Sequence, residues 1–337
     1  MGTKILGVER HLEHVYAGSV EILAFESELL RGNALGDPHT RELICYIPPD
    51  ATTSTPVHFV LPAFTSRPHG TLETHPWRRG LVAEWDRAMA RNAYRSAILV
   101  LPDCFTKLGG SQYVDSTAVG PYESHVIQEL VPLAQEHLGR EVYGVLGKSS
   151  GGFGALHLSM RHPGVFQACA SISGDCGFDA LFPAEFLSCL RGLLAFDSDP
   201  GAFLEAFYEK PDLSGDGHAL INTLAMAACY SPNPESPLGF DLPFELETGE
   251  LIEDTWQRWL AFDPLVACAE HAADLRALKR LHVECGLRDE FHLQWGARRL
   301  VRKLAELDVP CTHEEHAGGH RGIDARVLQV LDAFSAT

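Results

Sequence analysis

A serine lies between two glycines near the middle of the chain, in the sequence G-K-S-S-G at residues 147–151. This pattern follows an apolar run at residues 142–146 and precedes a small-residue segment that predicts the start of a helix. A G-x-S-x-G sequence between a strand and a helix is typical of a sharp turn that exposes the serine hydroxyl above a sheet. Glycine is needed on both sides because a Cβ atom there would clash with the neighbouring strand and helix. We therefore predict that Ser149 is a catalytic nucleophile.

Two other interpretations of this turn are open. The residues Gly147-Lys148-Ser149 resemble the end of a phosphate-binding loop, but that motif requires a glycine where this chain has Val142. Nucleotide binding is therefore disfavoured. The remaining alternative is a glycine-rich turn selected only for packing.

A serine hydroxyl becomes a good nucleophile only when a base takes its proton, and the base in turn needs an orienting acid. After a G-x-S-x-G turn the chain order is serine, acid, histidine. The apolar run 281–285 predicts a strand, and Asp289 follows it closely. We predict Asp289 as the acid, with Glu290 and Asp175 as alternatives. A cap for the next helix is the structural alternative for Asp289.

Three histidines near the end of the chain compete for the role of base. His313 and His316 lie in or at the end of a predicted strand, whereas His320 follows Gly318-Gly319 and precedes a predicted helix. A loop position after two glycines can reach across to the serine, so we predict His320 as the base. His316 is the main alternative, as a loop or structural histidine.

A serine that attacks a carbonyl group also needs an oxyanion hole, which consists of two backbone N–H groups that face the developing negative charge. The residue after the nucleophile supplies one of them in this type of site, which predicts the N–H of Ser150. The second should come from the loop after an earlier strand, and the sequence Leu-Pro-Ala-Phe-Thr-Ser at residues 61–66 is the best candidate. Because Pro62 has no N–H, we predict Phe64 as the second donor, with Ala63 as the alternative.

Short apolar runs separated by amphipathic segments predict an α/β protein with a mostly parallel central sheet flanked by helices. The early strands follow one another without a long helix, so the sheet should begin antiparallel. The alternation stops at residues 176–262, which are helix-prone and contain a loop rich in proline and glycine. We predict a discontinuous catalytic core, residues 1–175 and 263–337, with residues 176–262 as a helical, cap-like insertion. The predicted strands are residues 43–47, 57–61, 97–101, 142–146, 168–172 and 281–285.

Composition narrows the classes of protein further. The 337 residues carry a formal net charge of −18, which argues against a general nucleic-acid binder. No apolar run is long enough to span a membrane, and the first residues do not match a secretory signal. The nine cysteines are scattered, which favours reduced thiols and a cytoplasmic location. His11 and His14 have metal-like spacing without an evident third ligand, so we predict no metal and no cofactor.

Together these residues resemble the esterase D group of α/β-hydrolases, which holds S-formylglutathione hydrolases, feruloyl, acetyl and siderophore esterases, and mycolyltransferases. One departure is that many members have His-Gly where this chain has Pro62-Ala63. The resemblance implies an α/β-hydrolase fold and a serine esterase that acts through an acyl-enzyme on a small or aromatic ester. It rests on the Leu-Pro-Ala-Phe loop and on the segments at residues 110–116, 122–132, 147–152, 286–291 and 318–320.

The substrate pocket is harder to predict. Lys148, Arg288 and Arg321 each adjoin a predicted catalytic residue and are candidates to attract an anionic substrate, although a solvated surface position is the ordinary alternative. Acyl transfer or thioester hydrolysis by the same triad, and an inactive binding protein on this fold, are the rival functions; a homo-oligomer is possible. Aromatic residues of the insertion are predicted to shape the pocket or, alternatively, to pack its own core: Phe178, Phe182, Phe186, Trp256 and Trp259.

Overall fold

The computed structural model describes residues 3–10, 16–75 and 77–336. In these residues the main sheet has nine strands in the order β1-β2-β3-β5-β4-β6-β7-β8-β9. Strands β1 to β3 and the contact of β3 with β5 are antiparallel, and the strands from β5 onward in this order are parallel. The strands are β1 (Ile5–Arg10), β2 (Ser19–Glu26), β3 (Thr40–Ile47), β4 (Val57–Leu61), β5 (Ile98–Pro102), β6 (Gly144–Lys148), β7 (Ala168–Ile172), β8 (Arg280–Gly286) and β9 (Thr312–His316).

This architecture is the predicted one, a mostly parallel sheet that begins antiparallel. The central strands β4, β5 and β7 are buried along their whole length, because helices cover both faces of the sheet. The predicted strand at residues 142–146 lies two residues further along, as β6. His11 and His14 lie outside the described residues.

Helices flank the sheet on both sides and follow the predicted alternation. The predicted helix near Pro132 is interrupted, since a π-helical segment at His125–Leu130 precedes the α-helix in which Pro132 is the second residue. The proline directly follows this π-helical segment, where the α-helical hydrogen-bond ladder is already interrupted. The helices are α1 (Leu81–Met89), α2 (Val131–Leu138), α3 (Ser150–Arg161), α4 (Phe178–Leu193), α5 (Pro200–Glu209), α6 (Gly217–Tyr230), α7 (Glu253–Leu260), α8 (Pro264–Ala267), α9 (Ala272–Ala277), α10 (Leu293–Glu306) and α11 (Asp324–Phe334).

Helices α4 to α7 lie between β7 and β8 in the sequence, where the cap-like insertion is predicted. Their buried side chains belong to the same apolar cluster as one face of the sheet. For example, the Phe178 ring of α4 lies 6.0 Å from the Phe153 ring of α3. The inserted helices are therefore anchored on the helix that follows Ser149. The division of the chain into core and insertion stays a prediction.

No helix among the described residues is long and apolar enough to cross a membrane. All nine cysteines are free thiols, and eight of them are buried. Burial raises the pKa of most of these thiols, for example that of Cys45 to about 12, so they are poor nucleophiles at neutral pH.

Candidate active site

Ser149 stands at the turn between β6 and α3, with φ of 56° and ψ of −126°. A positive φ is costly for a residue with a Cβ atom, and such strain persists only where the surroundings hold the turn in place. The backbone N–H of Ser149 donates to the carbonyl of Ile172 at 3.0 Å, and its carbonyl accepts from the N–H of Phe153 at 2.9 Å. The turn is thus tied to both β7 and α3, and it holds the side chain at the carboxyl end of the sheet.

The glycines on either side of this turn are required by close backbone contacts. A Cβ atom added to Gly147 would lie 2.4 Å from the carbonyl carbon of Gly151, and one added to Gly151 would lie 2.1 Å from the carbonyl oxygen of Leu61. Both positions are blocked by backbone atoms, which a side-chain rotation cannot move. The G-x-S-x-G pattern is therefore explained by packing between β4, β6 and α3.

We expect Gly151→Ala to destabilise the fold by more than about 3 kcal/mol, since the new methyl group must displace the backbone of β4. The free energy of unfolding from urea titration measures this. Gly70→Ala is the matched control, because a Cβ atom at Gly70 meets nothing within 4 Å, and its effect should stay within about 1 kcal/mol. Equal stability of the Gly151 and Gly70 variants would contradict the packing argument.

His320 and Asp289 form a buried pair after the last two strands. The imidazole Nδ1 of His320 lies 2.9 Å from Oδ2 of Asp289, and the two residues are 6% and 2% exposed. The other carboxylate oxygen of Asp289 accepts from the N–H of Phe291 at 3.0 Å, and the Phe291 ring packs edge-on against His320 at 4.8 Å. Burial raises the pKa of Asp289, but the hydrogen bond and charge of His320 outweigh it and lower the pKa below its usual value. Asp289 is thus held as a carboxylate against the imidazole.

The two alternative acids make other contacts. Glu290 accepts from the backbone N–H of His320 at 2.5 Å, and Oδ2 of Asp175 accepts from Ser150 Oγ at 3.3 Å and from Gln112 Nε2 at 3.1 Å. Among the described residues, Asp289 alone hydrogen-bonds to the imidazole of His320. This geometry favours Asp289 over the alternatives as the orienting acid.

The alternative histidines lie on β9 and do not line the cavity that contains Ser149. Nδ1 of His316 accepts from the N–H of Gly318 at 3.1 Å, which makes it a structural residue of the loop before His320. The geometry therefore favours His320 as the base.

Ser149, Ser150 and His320 all line one cavity of about 390 Å³. Because parallel strands end at the same edge of the sheet, the loops after β6, β7, β8 and β9 converge there. The hydroxyl of Ser149 makes no hydrogen bond with the described part of the chain, although such catalytic bonds commonly form only when substrate binds. The remaining walls come from the loop at residues 63–66 and from Lys148, Asp175, Leu181, Phe182, Glu185, Leu213, His218, Asn222, Phe291 and Arg321.

The predicted oxyanion donors also face this region. The loop that contains Phe64 is held by hydrogen bonds from Tyr113 Oη to the Pro62 carbonyl at 2.6 Å and from the Thr65 N–H to the Gly109 carbonyl at 2.8 Å. In the part of the chain that the structure describes, the N–H groups of Ser150, Phe64 and Ala63 donate to no acceptor. Each of them is therefore available to a substrate, and the choice between Phe64 and Ala63 stays open.

The predicted pocket residues divide into two groups. Phe182 and Lys148 line the cavity, whereas Phe178, Trp256 and Trp259 do not, and their contact with substrate stays a prediction. Their rings are buried in the aromatic packing of α4, α6 and α7; Trp259, for example, lies 5.1 Å from Phe182 and donates its Nε1–H to Ser231 Oγ at 2.9 Å. Large aromatic rings stabilise most when they are fully buried, so the geometry favours the packing alternative for these three.

Several wall residues were not predicted: Leu181, Glu185, Leu213, His218, Asn222 and Phe291. Four of them belong to α4 and α6, where a helical pattern alone does not tell which side faces a cavity. Within the described residues, no group of three or more His, Cys, Asp or Glu side chains could hold a metal ion.

A protein-family model named Esterase, described as "Putative esterase", matches residues 109–317, more than half of the chain. No curated protein matches the sequence. A solved ferulic acid esterase is 18% identical, with a TM-score of 0.58 over 95% of this chain and 98% of that chain. An S-formylglutathione hydrolase from Agrobacterium tumefaciens is 16% identical, with a TM-score of 0.56 over 99% of both chains. The fluorophosphonate-binding serine hydrolase FphF of Staphylococcus aureus is 13% identical, with a TM-score of 0.56 over 95% of this chain and 99% of that chain.

These structures share the fold of this chain, and the family model covers the segment from the loop at Gly109 to the end of β9. The predicted resemblance to the esterase D group is confirmed by these matches. The chain therefore belongs to the esterase family, has the α/β-hydrolase fold and is a carboxylic ester hydrolase.

Proposed function

We propose that the protein hydrolyses small or aromatic carboxylic esters through an acyl-enzyme formed on Ser149. One observation carries the proposal: Ser149, at a positive φ of 56°, lines the same cavity as His320, whose Nδ1 lies 2.9 Å from Oδ2 of the buried Asp289. A strained, half-buried serine that shares a cavity with a carboxylate-bound histidine suits general-base activation of a hydroxyl.

In the proposed reaction, Ser149 Oγ attacks the ester carbonyl while Nε2 of His320 accepts its proton. The tetrahedral oxyanion is bound by the N–H of Ser150 and by a second N–H from Phe64 or Ala63. Each such donor lowers the activation free energy by roughly 2.7–4 kcal/mol. His320 then protonates the leaving alcohol, and in the second half it takes a proton from water, which attacks the acyl-enzyme and releases the acid. Asp289 holds the imidazole with its Nε2 toward the serine throughout.

A fluorophosphonate probe tests this mechanism directly, because it reacts with an activated serine and leaves a stable adduct. We expect stoichiometric labelling of the folded protein, with mass spectrometry of the digest placing the adduct on Ser149. Prior incubation with the probe should abolish hydrolysis of 4-nitrophenyl acetate. A folded protein that is not labelled, or is labelled on another residue, would contradict the proposal.

The same acyl-enzyme could react with an acceptor other than water, and product analysis separates the outcomes. Hydrolysis predicts that free acid remains the main product when alcohols or sugars are added to the reaction. A panel of esters and thioesters that varies acyl length and aromatic character would then define the acyl preference.

A further inference from the structure

Lys148 directly precedes the proposed nucleophile and lies between two cavities. It lines the active-site cavity and also a neighbouring cavity of about 650 Å³. The other walls of this second cavity include residues of the segment 60–67 and of the segment before α1. The side chain is half-buried. Within the described part of the chain, its ammonium group makes neither a hydrogen bond nor an ion pair. Burial lowers the pKa of Lys148, because the partly buried ammonium has lost water. The charges of Asp324, Asp289 and Glu290 offset part of this effect, but none of these carboxylates forms an ion pair with the ammonium.

Arg321 directly follows the proposed base and lines the active-site cavity as well. It is exposed, and it too has no ion pair or hydrogen bond with the described residues. Its charge and that of Lys148 are close enough to repel, since Arg321 contributes to lowering the pKa of Lys148. The two unpaired cations therefore lie on the wall of the cavity that also contains Ser149 and His320.

Two other cations near the site already have a hydrogen-bond or ion-pair partner. Arg288 donates to the carbonyl of Ala317 at 2.8 and 2.6 Å and so holds the loop before His320. Arg67, which lines the second cavity, is 3.0 Å from Asp103. Of the three cations that the sequence places beside the catalytic residues, the structure thus leaves Lys148 and Arg321 free to bind a ligand.

Among the described residues, the carboxyl groups near the cavity form no ion pair with either cation. Burial raises the pKa of Asp175 and of Glu185, which favours their neutral forms. Asp289 is committed to the imidazole of His320, and Glu290 to its backbone N–H. His218, also on the wall, has a pKa lowered by burial.

One further carboxylate faces the ammonium of Lys148 from α11. Asp324 lines the second cavity and acts to raise the pKa of Lys148, but the two side chains do not form an ion pair. Both cations therefore keep hydrogen-bonding capacity for a ligand beside the proposed site, although the chain as a whole carries −18.

We propose that Lys148 and Arg321 together bind a carboxylate or phosphate group of the substrate, so that the preferred substrates are anionic esters. This inference rests on the proposed esterase function and specifies its substrate class. Charge-assisted hydrogen bonds to an anion would satisfy both cations at once. The anion can belong to the acyl part or to the alcohol part of the ester, and the two cavities that meet at Lys148 offer space on both sides.

Matched pairs of neutral and anionic esters test the proposal. One pair places the charge on the acyl part, 4-nitrophenyl acetate against mono-4-nitrophenyl succinate, and the other on the alcohol part, phenyl acetate against 4-acetoxybenzoate. We expect Lys148→Gln and Arg321→Gln to lower kcat/KM for the anionic ester of at least one pair about tenfold more than for its neutral partner, mainly through KM. Lys148→Arg should retain most of the discrimination.

The control is Arg91→Gln, which changes the net charge equally at an exposed position that lines neither cavity. It should leave kcat/KM unchanged for all four esters. If Lys148→Gln fails to fold, the exposed Arg321 still decides the question. Equal losses on neutral and anionic esters in both pairs would overturn the anion site and leave the esterase mechanism standing. A folded wild-type protein that turns over none of the esters would overturn the mechanism, and the anion site with it.

Discussion

Replacing Ser149 with alanine is expected to lower kcat for 4-nitrophenyl acetate by between about 10⁴- and 10⁶-fold. The reason is that the variant cannot form the acyl-enzyme, while the oxyanion donors and the cavity remain to give weak residual catalysis. Steady-state kinetics with a sensitive chromogenic ester measure the loss. Labelling by the fluorophosphonate probe should disappear at the same time.

A matched control is Ser188→Ala on α4, whose hydroxyl donates to the carbonyl of Ala184 at 3.3 Å and does not line the cavity. It should retain both turnover and labelling. The thermal stability of the Ser149 variant should not fall, because the substitution removes little packing and leaves no buried polar group without a hydrogen-bond partner. Retained turnover in a folded Ser149→Ala protein would exclude Ser149 as the nucleophile.

The second large effect is expected for Asp289→Asn, with a loss of about 10⁴-fold in kcat. The asparagine is nearly isosteric, but it carries an NH₂ group and no charge where His320 now has a carboxylate oxygen 2.9 Å from Nδ1. The imidazole then lacks the partner that fixes its tautomer and that stabilises its protonated form. Kinetics at several pH values, together with circular dichroism to confirm folding, measure this effect.

The alternative acids provide the comparison for this experiment. Glu290→Gln and Asp175→Asn should each cost much less than Asp289→Asn, because neither carboxyl contacts the imidazole; Glu290 bonds to the N–H of His320, and Asp175 bonds to Ser150 and Gln112. A loss for Asp175→Asn that equals or exceeds the loss for Asp289→Asn would reassign the orienting acid to the loop after β7.

The main parts of the candidate site were predictable because each has a local signal. The turn at Ser149 needs glycines at fixed positions, and the contacts of Gly147 and Gly151 with backbone atoms show why no other residue fits. Asp289 and His320 follow strands whose apolar residues or flanking glycines are visible in the sequence. The order of strands and helices then places these three segments at one edge of the sheet, since parallel strands end together.

The walls of the cavity carried no such signal. Phe178 and Phe182, one turn apart on the same helix, are both almost fully buried, but only Phe182 lines the cavity, while Phe178 packs against Phe153. Both are aromatic residues with similar neighbours in the sequence, and only the packing of α4 on α3, α6 and α7 separates them. The cations also carried no such signal. Arg288 donates to a backbone carbonyl and Arg321 is unpaired, but both simply adjoin a predicted catalytic residue in the sequence.

The sequence by itself determined the fold class, the esterase resemblance and the identity of Ser149, Asp289 and His320 as candidates, because strand, turn and glycine patterns act over a few residues. The tertiary structure alone decided which carboxylate binds the imidazole of His320, which aromatic rings line the cavity, and which two cations remain unpaired on its wall. Those outcomes depend on distances of a few ångströms between segments far apart in the chain. Such distances are set by the packing of whole helices against the sheet, and no short pattern of residues encodes them.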